Sequence, residues 1–259
     1  MSDLPPVSCM CLTYGRPTWI VNEAVESFLR QDYAGERELV LLNDCEQQTY
    51  ACDRPGVVVV NTGRRFKTVG EKRNACAALA RYDLLCVWDD DDLYLPHRLS
   101  FSVRMMQEHE RFRRFFKPAQ AFVLSHGRLS GPRANLHHSA GMWTREFFDE
   151  ARGYAHMGSG QDMELELRFE ALDKPHKQNH NHIDPADIYY LYRWHGTASF
   201  HLSGFGPDRD HGPDGNQKVA DYVRRQMDAG SLPVGQIALD PHWQQDYVEL
   251  TRAYVEALV

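Results

Sequence analysis

LLCVWDDDDLYLP, residues Leu84 to Pro96, runs an apolar segment straight into four consecutive aspartates. A short apolar run bounded by turn formers reads as a strand buried on both faces, so the aspartates sit where that strand ends. Four adjacent like charges repel one another. Solvation in a turn, capping of the helix that starts near Pro96, or a cation can each relieve the repulsion. A cap needs only one side chain. Carboxylates aimed from a strand end into a crevice suit magnesium or manganese, which take oxygen ligands from one or two carboxylates together with substrate phosphates and water.

Upstream, strand-like and helix-like segments alternate with short connections. VSCMCL (Val7 to Leu12) reads as a strand followed by the turn TYGRP. WIVNEAVESFLRQ (Trp19 to Gln31) has Ile20, Ala24 and Phe28 at helical spacing. ELVLLN and VVVVNT are two further strands, VGEKRNACAALARY is a helix, and LLCVW is the fourth strand. This order implies an α/β fold with a mostly parallel central sheet and helices on both faces. In such sheets ligands collect at the carboxyl ends of the strands. TYGRP, NDCE and DDDD therefore converge on one edge.

Beyond Pro96, HRLSFSVRMMQEHERF reads as a helix, AQAFVLS as a strand, and SAGMWTREFFDEARGY as a short strand entering a helix. GQDMELELRFEAL is a helix with Met163, Leu165, Leu167 and Phe169 apolar and Asp162 at its first turn. KPHKQNHNHIDPAD is a polar loop, IYYLYRW a strand, and the tail from about Asn216 two amphipathic helices around GSLP. With no internal repeat or linker, one domain spans 1–259: a nucleotide-binding half (1–100), an acceptor and catalytic half (101–205) and a C-terminal helical extension (206–259).

At 259 residues and 42% hydrophobic, the chain can bury a sizeable core. Its net charge of −7 excludes a global attraction to nucleic acid or anionic lipid. No run of 18 apolar residues exists to span a membrane. MSDLPPVSCM lacks the basic and apolar parts of a signal peptide, which sets a cytoplasmic expectation. Cys9, Cys11, Cys45, Cys52, Cys76 and Cys86 form no CxxC pair and read as buried reduced thiols.

LLCVWDDDDLYLPHRL resembles the strand, DxDD and proline signature of family 2 glycosyltransferases with the GT-A (Rossmann-like) fold. VSCMCLTYGRP, LVLLNDC, VGEKRNACAALARYDLLCVW, SAGMWTREFFDEARGY, GQDMELELRF and YLYRWHGTASFHLSG resemble further family segments in the same order, over roughly Val7 to Gly204. The resemblance implies a metal-dependent, inverting glycosyltransferase using a nucleotide-diphosphate sugar, UDP-based, with Mn2+ or Mg2+ as cofactor. Asp44 would contact uracil, with Thr13 and Arg16 near the same pocket, and Arg73 would lie over the uridine or diphosphate. Asp89 would face the ribose, with Asp90 sharing its task or that of Asp91, and Asp91 would be the main metal ligand. Asp162 would be the general base, with Glu164 as fallback, and His201 a further metal ligand. The chain departs from the family at Asn43, Gln161 and Asp90, where an aspartate, an acid and a small residue are usual.

The chemistry supports these roles independently. A departing nucleoside diphosphate gathers negative charge that a cation and an arginine stabilise, and an attacking hydroxyl must give its proton to a nearby carboxylate. Nucleotidyl transfer on a similar sheet expects a glycine-rich basic loop after the first strand, and TYGRPTW holds one glycine and one arginine. A non-catalytic nucleotide- or carbohydrate-binding protein on the same scaffold need not keep Asp162. The acceptor stays open between a saccharide, a protein, a small molecule and a modified nucleobase.

Other features have competing readings. Asp162 could simply cap its helix, and Asp92 is expected to cap the turn into LYLP. His176, His180 and His182 could hold a metal or belong to a polar loop that acts as a lid; His195 and His201 flank a strand end. RFRRFFKP (Arg111 to Pro118) and GRRFK (Gly63 to Lys67) could associate weakly with a nucleic acid or membrane surface, but a helix end that buries its phenylalanines and solvates its arginines explains the former.

Overall fold

The computed structural model describes residues 4–173, 183–194 and 214–258. Among them the chain runs β1 (Val7–Thr13), α1 (Thr18–Leu29), β2 (Arg37–Asn43), β3 (Gln48–Ala51), β4 (Val57–Asn61), α2 (Val69–Leu79), β5 (Leu84–Asp89) and β6 (Leu93–Tyr94). There follow α3 (Arg98–Glu108), β7 (Phe115–Phe116), β8 (Gln120–Ser125), β9 (Arg128–Ala134), β10 (Met142–Thr144), α4 (Arg145–Glu150), α5 (Gln161–Leu172) and β11 (Tyr190–Trp194). The last three are α6 (Asp214–Asp228), β12 (Gly235–Ala238) and α7 (Tyr247–Glu256).

The central sheet has the order β4-β2-β1-β5-β10-β7. Its first four strands are parallel, β10 runs antiparallel to both of its neighbours, and β7 at the edge therefore points the same way as the first four. Side chains alternate across it, as period-two geometry requires. Val7, Cys9, Cys11, Leu39, Leu41, Cys86 and Trp88 pack with α1 through Val21, Ala24, Val25 and Phe28. Met10, Val40, Leu42, Leu85 and Val87 pack on the opposite face with Cys76 and Ala77 of α2, Phe147 and Phe148 of α4, and Leu165 and Phe169 of α5. Both faces are thus covered, which is why these strands are apolar without interruption. All six cysteines are free thiols, five of them buried and Cys52 partly so.

A second sheet, β6-β11-β8-β9, continues from the aspartate turn into the other half of the fold, and β12 pairs with β3 in parallel. β12 is a correction: the tail is two helices with a strand between them, because Gly235–Ala238 finds the free edge of β3. Residues Glu110–Phe112, expected to prolong α3, form a separate 3-10 turn. Phe112, Phe115 and Phe116 are buried, while Arg113 and Arg114 pair with Glu110 and Glu150; the helix end expected there is a 3-10 turn followed by the short strand β7, which buries the phenylalanines instead. Within α5 only Leu165 and Phe169 face the core; Met163 and Leu167 are exposed, because residues four apart share a helix face and residues two apart do not.

α2 begins with a capping box. Thr68 Oγ1 accepts from Glu71 N at 3.1 Å and the Glu71 carboxylate accepts from Thr68 N at 3.3 Å, an arrangement in which the cap alone stabilises by about 1 kcal/mol. Gly70 in its first turn has no room for a side chain: a Cβ there would lie 1.8 Å from the Ala155 carbonyl oxygen. That close approach brings α2 against the segment leading into α5.

Candidate active site

The registers Thr13↔Asn43 and Leu12↔Asp89 bring the carboxyl ends of β1, β2 and β5 level. The turns that follow them therefore meet on one edge, as in the sequence expectation. Thr13, Arg16, Asp44, Arg73, Asp89, Asp90 and Asp91 all gather there, although they come from four segments of the chain.

Arg16 forms the centre of the cluster. Its Nε donates to Asp90 Oδ2 at 2.9 Å, and one Nη donates to Asp90 Oδ1 at 2.8 Å and to Asp91 Oδ2 at 2.7 Å. All three side chains are buried. Burial opposes the charge on Arg16, but Asp90 and Asp91 outweigh it and raise its pKa above the usual guanidinium value. Burial raises the Asp90 pKa from its ordinary value; Arg16 pulls it down and Asp91 pushes it up. The Arg16 backbone is held by Gln48, whose Oε1 accepts from Arg16 N at 3.3 Å and whose Nε2 donates to Arg16 O at 3.1 Å.

Three consecutive residues of α2 reach three partners, since each helical step rotates the side chain by about 100°. Lys72 pairs with Asp44 and donates to Thr13 O at 2.7 Å. Arg73 reaches Asp89 Oδ1 at 3.3 Å and lies over the Tyr154 ring at 5.5 Å. Asn74 exchanges hydrogen bonds with the Tyr154 backbone. The other oxygen of Asp44 accepts from Phe66 N at 2.9 Å. Lys72 went unnoticed in the sequence; its signal was a lysine one step before the arginine singled out.

The four aspartates differ. Asp89 is the most open, 27% exposed against 7% for Asp91 and 3% for Asp90, and accepts from Ser139 Oγ at 2.5 Å. Asp92 corrects the expectation of a cap: its carboxylate accepts from Tyr190 OH at 2.6 Å and Arg193 N at 2.9 Å. It therefore ties the turn to β11, and no side chain caps α3. Burial raises the Asp92 pKa well above the ordinary value, with Asp91 and Asp89 adding to the shift.

Asp162 lies on α5 within electrostatic reach of Arg73, Tyr154 and His137. Its capping alternative is not realised, because Gly160 in a left-handed conformation is the cap residue. Glu164, the fallback base, is held by Arg168 through hydrogen bonds of 2.7 and 2.5 Å. His201, His195 and the histidines at 176, 180 and 182 lie outside the described residues.

Two further features were not foreseen. His137 stacks on Tyr192 at 3.9 Å, and burial lowers its pKa, opposed by the charges of Asp89 and Asp162. Behind it, His138 joins Glu166 at 2.8 Å to Tyr154 OH at 2.7 Å, and Lys117 holds the other Glu166 oxygen at 2.5 Å. This buried chain supports the ring over which Arg73 lies.

The residues fit a divalent cation in donor chemistry. Asp90 and Asp91 are hard oxygen donors already gathered round a positive charge, and Arg73 Nε is buried without a partner among the described residues. No group of three or more His, Cys, Asp or Glu ligands stands ready among the described residues, so carboxylates alone would leave coordination to be completed by ligand oxygens and water.

In structure the chain is similar to S. aureus TarS, with a TM-score of 0.50 at 14% identity, covering 85% of this chain and 43% of that one. It is also similar to S. aureus TarS 1-349 in complex with UDP-GlcNAc, with a TM-score of 0.50 at 13% identity, covering 86% of this chain and 72% of that one. These likenesses establish the fold, and the chain spans less than half of the longer TarS chain. No curated protein matches the sequence. The profile of Glycosyl transferase family 2 matches residues 10–142, just over half of the chain. With that match laid over a sheet whose acidic turn, the turns after β1 and β2, and α2 meet on one edge, the chain belongs to glycosyl transferase family 2.

Proposed function

We propose that the protein transfers a glycosyl group from a UDP-sugar to an acceptor hydroxyl, with inversion, in a reaction that requires Mn2+ or Mg2+. The observation that carries this reading is the double cluster on the sheet edge, Arg16 with Asp90 and Asp91 beside Arg73 with Asp89, with Asp162 within electrostatic reach of Arg73. The uridine preference draws support from the neighbouring fold solved with UDP-GlcNAc and from Asp44 and Thr13 at the nucleotide end.

Asp91 and Asp90 would hold the cation, which when bound neutralises charge on the donor diphosphate. Arg73 supplies a second, fixed positive charge at the same place. Asp162 takes the proton of the acceptor hydroxyl as its oxygen forms the new bond to the anomeric carbon. The bond from that carbon to the diphosphate breaks in the same displacement, its electron pair leaving with the phosphate. One base on one side inverts the anomeric centre. His137 on Tyr192 offers a flat aromatic floor for the acceptor.

A thermal-shift screen of nucleotide sugars with and without Mn2+ tests the donor, since a ligand of the folded state raises its melting temperature. UDP-sugars are expected to shift it only with the metal. Equal shifts in a chelator would refute metal dependence. Asp162→Asn is expected to lose about 10²- to 10⁴-fold in transfer while keeping UDP binding; an unimpaired variant would move the base elsewhere.

A further inference from the structure

We infer that Arg16 is an internal counter-ion of the aspartate pair, which occupies the cation's place until a nucleoside diphosphate draws it away, so that metal and nucleotide bind only together. The inference rests on the metal-dependent reading above. Its basis is geometric. Arg16 grips both oxygens of Asp90 and one of Asp91 at 2.7 to 2.9 Å, and the three side chains are buried.

Charge decides the consequence. The guanidinium already meets the two carboxylates that a cation would use. Adding a divalent ion while Arg16 stays would press two cations against the same oxygens at a distance where repulsion is strong. Removing Arg16 from the pair without a new anion would bury an uncompensated guanidinium. A diphosphate resolves both problems, because it brings oxygen ligands for the metal and a bidentate anionic partner for Arg16. The backbone need not move: Gln48 holds Arg16 from both sides, and the preceding Gly15, at φ +57°, is overlaid so closely by Val223 of α6 that a Cβ there would lie 2.4 Å from its Cγ1. Only the side chain is left to swing. Metal affinity without nucleotide is then reduced by the fraction of molecules whose Arg16 has left the pair.

Mn2+ binding measured by electron paramagnetic resonance on the whole protein, with and without UDP, tests this. Wild type is expected to bind Mn2+ at least about tenfold more tightly with UDP than alone. Arg16→Gln is expected to bind Mn2+ alone at least about tenfold more tightly than wild type does, with its melting temperature raised by Mn2+ alone. Arg16→Lys, which keeps the charge, should bind Mn2+ alone as weakly as wild type. Equal Mn2+ affinity of wild type with and without UDP would overturn the counter-ion role and leave the metal reading standing; so would an Arg16→Gln variant that gains nothing. Absence of Mn2+ binding in every form even with UDP would remove the metal reading and this inference with it. If Arg16→Gln does not fold, Arg16→Met serves the same comparison, because UDP supplies metal ligands of its own and tighter wild-type binding with UDP does not by itself single out Arg16.

Discussion

Glu166 shows how a single residue is tuned by neighbours that lie far off in sequence. Burial would raise its pKa, but the hydrogen bond and charge of His138, together with Lys117, outweigh that and lower it from the ordinary 4.5 to about 2. A depressed carboxylate stabilises the fold above its unfolded pKa, and this contribution is lost as pH falls through the folded value. The window is therefore pH 4.5 down to about 2, and the contribution at neutral pH is about 3 kcal/mol. Urea denaturation should show wild type losing stability across that window, with Glu166→Gln less stable at pH 7 and much flatter below pH 4.5. The same side chain supports His138 and Tyr154, so Glu166→Gln is also expected to loosen Arg73 and weaken UDP binding.

α2 is the element that assembles the site. Its capping box sets where the helix starts, and the helical rotation then aims Lys72, Arg73 and Asn74 at the sheet end, at Asp89 and at the segment before α5. Gly70 permits the contact with Ala155 on which that aim depends. Gly70→Ala is expected to cost about 1–3 kcal/mol through overpacking against a backbone carbonyl. It should also weaken UDP binding, because the helix must retreat from α5 and carries Arg73 with it; calorimetric titration and denaturation measure the two effects. An undiminished UDP affinity in a destabilised variant would show that Arg73 is placed by something other than this contact. α5 taught a different lesson: its apolar residues alternate in pairs, and only the structure shows that Leu165 and Phe169 are core while Met163 and Leu167 are not.

At the scale of the whole molecule, the C-terminal segment is part of the site's frame. Glu23 of α1, fully buried, pairs with Arg193 of β11 and accepts from Tyr247 OH at 2.7 Å and Gln244 N at 2.9 Å. Arg193 Nε in turn donates to the Asp91 carbonyl at 2.7 Å. α7, β11, α1 and the aspartate turn are thereby linked through one buried carboxylate. Glu23→Gln leaves the Arg193 charge without its partner and is expected to cost about 3–5 kcal/mol, read from denaturant midpoints. Tyr247 and Ile237 belong to the same core as β1 and α1. One cooperative calorimetric transition is therefore expected for the whole chain; two separated transitions would show the C-terminal part to fold alone. No helix among the described residues is long and apolar enough to cross a membrane.

Much of this was legible in the residues themselves. Apolar runs of strand length, alternating with helical periodicity, dictate a two-sided parallel sheet whatever the rest of the chain does, and that topology brings TYGRP, NDCE and DDDD to one edge. These are consequences of local geometry. Partnership was not legible. Arg16 meets Asp90 across 74 residues, Lys72 meets Asp44 across 28 and Arg193 meets Glu23 across 170. The run of four aspartates read as four like charges; folded, the most open one meets Arg73, two share Arg16 and the fourth ties down β11. Periodicity is a property of neighbours in the chain, so sequence alone determined the sheet and its acidic edge. The energy of a charge depends on distance and burial in space, so only the tertiary structure decided which cation each aspartate keeps.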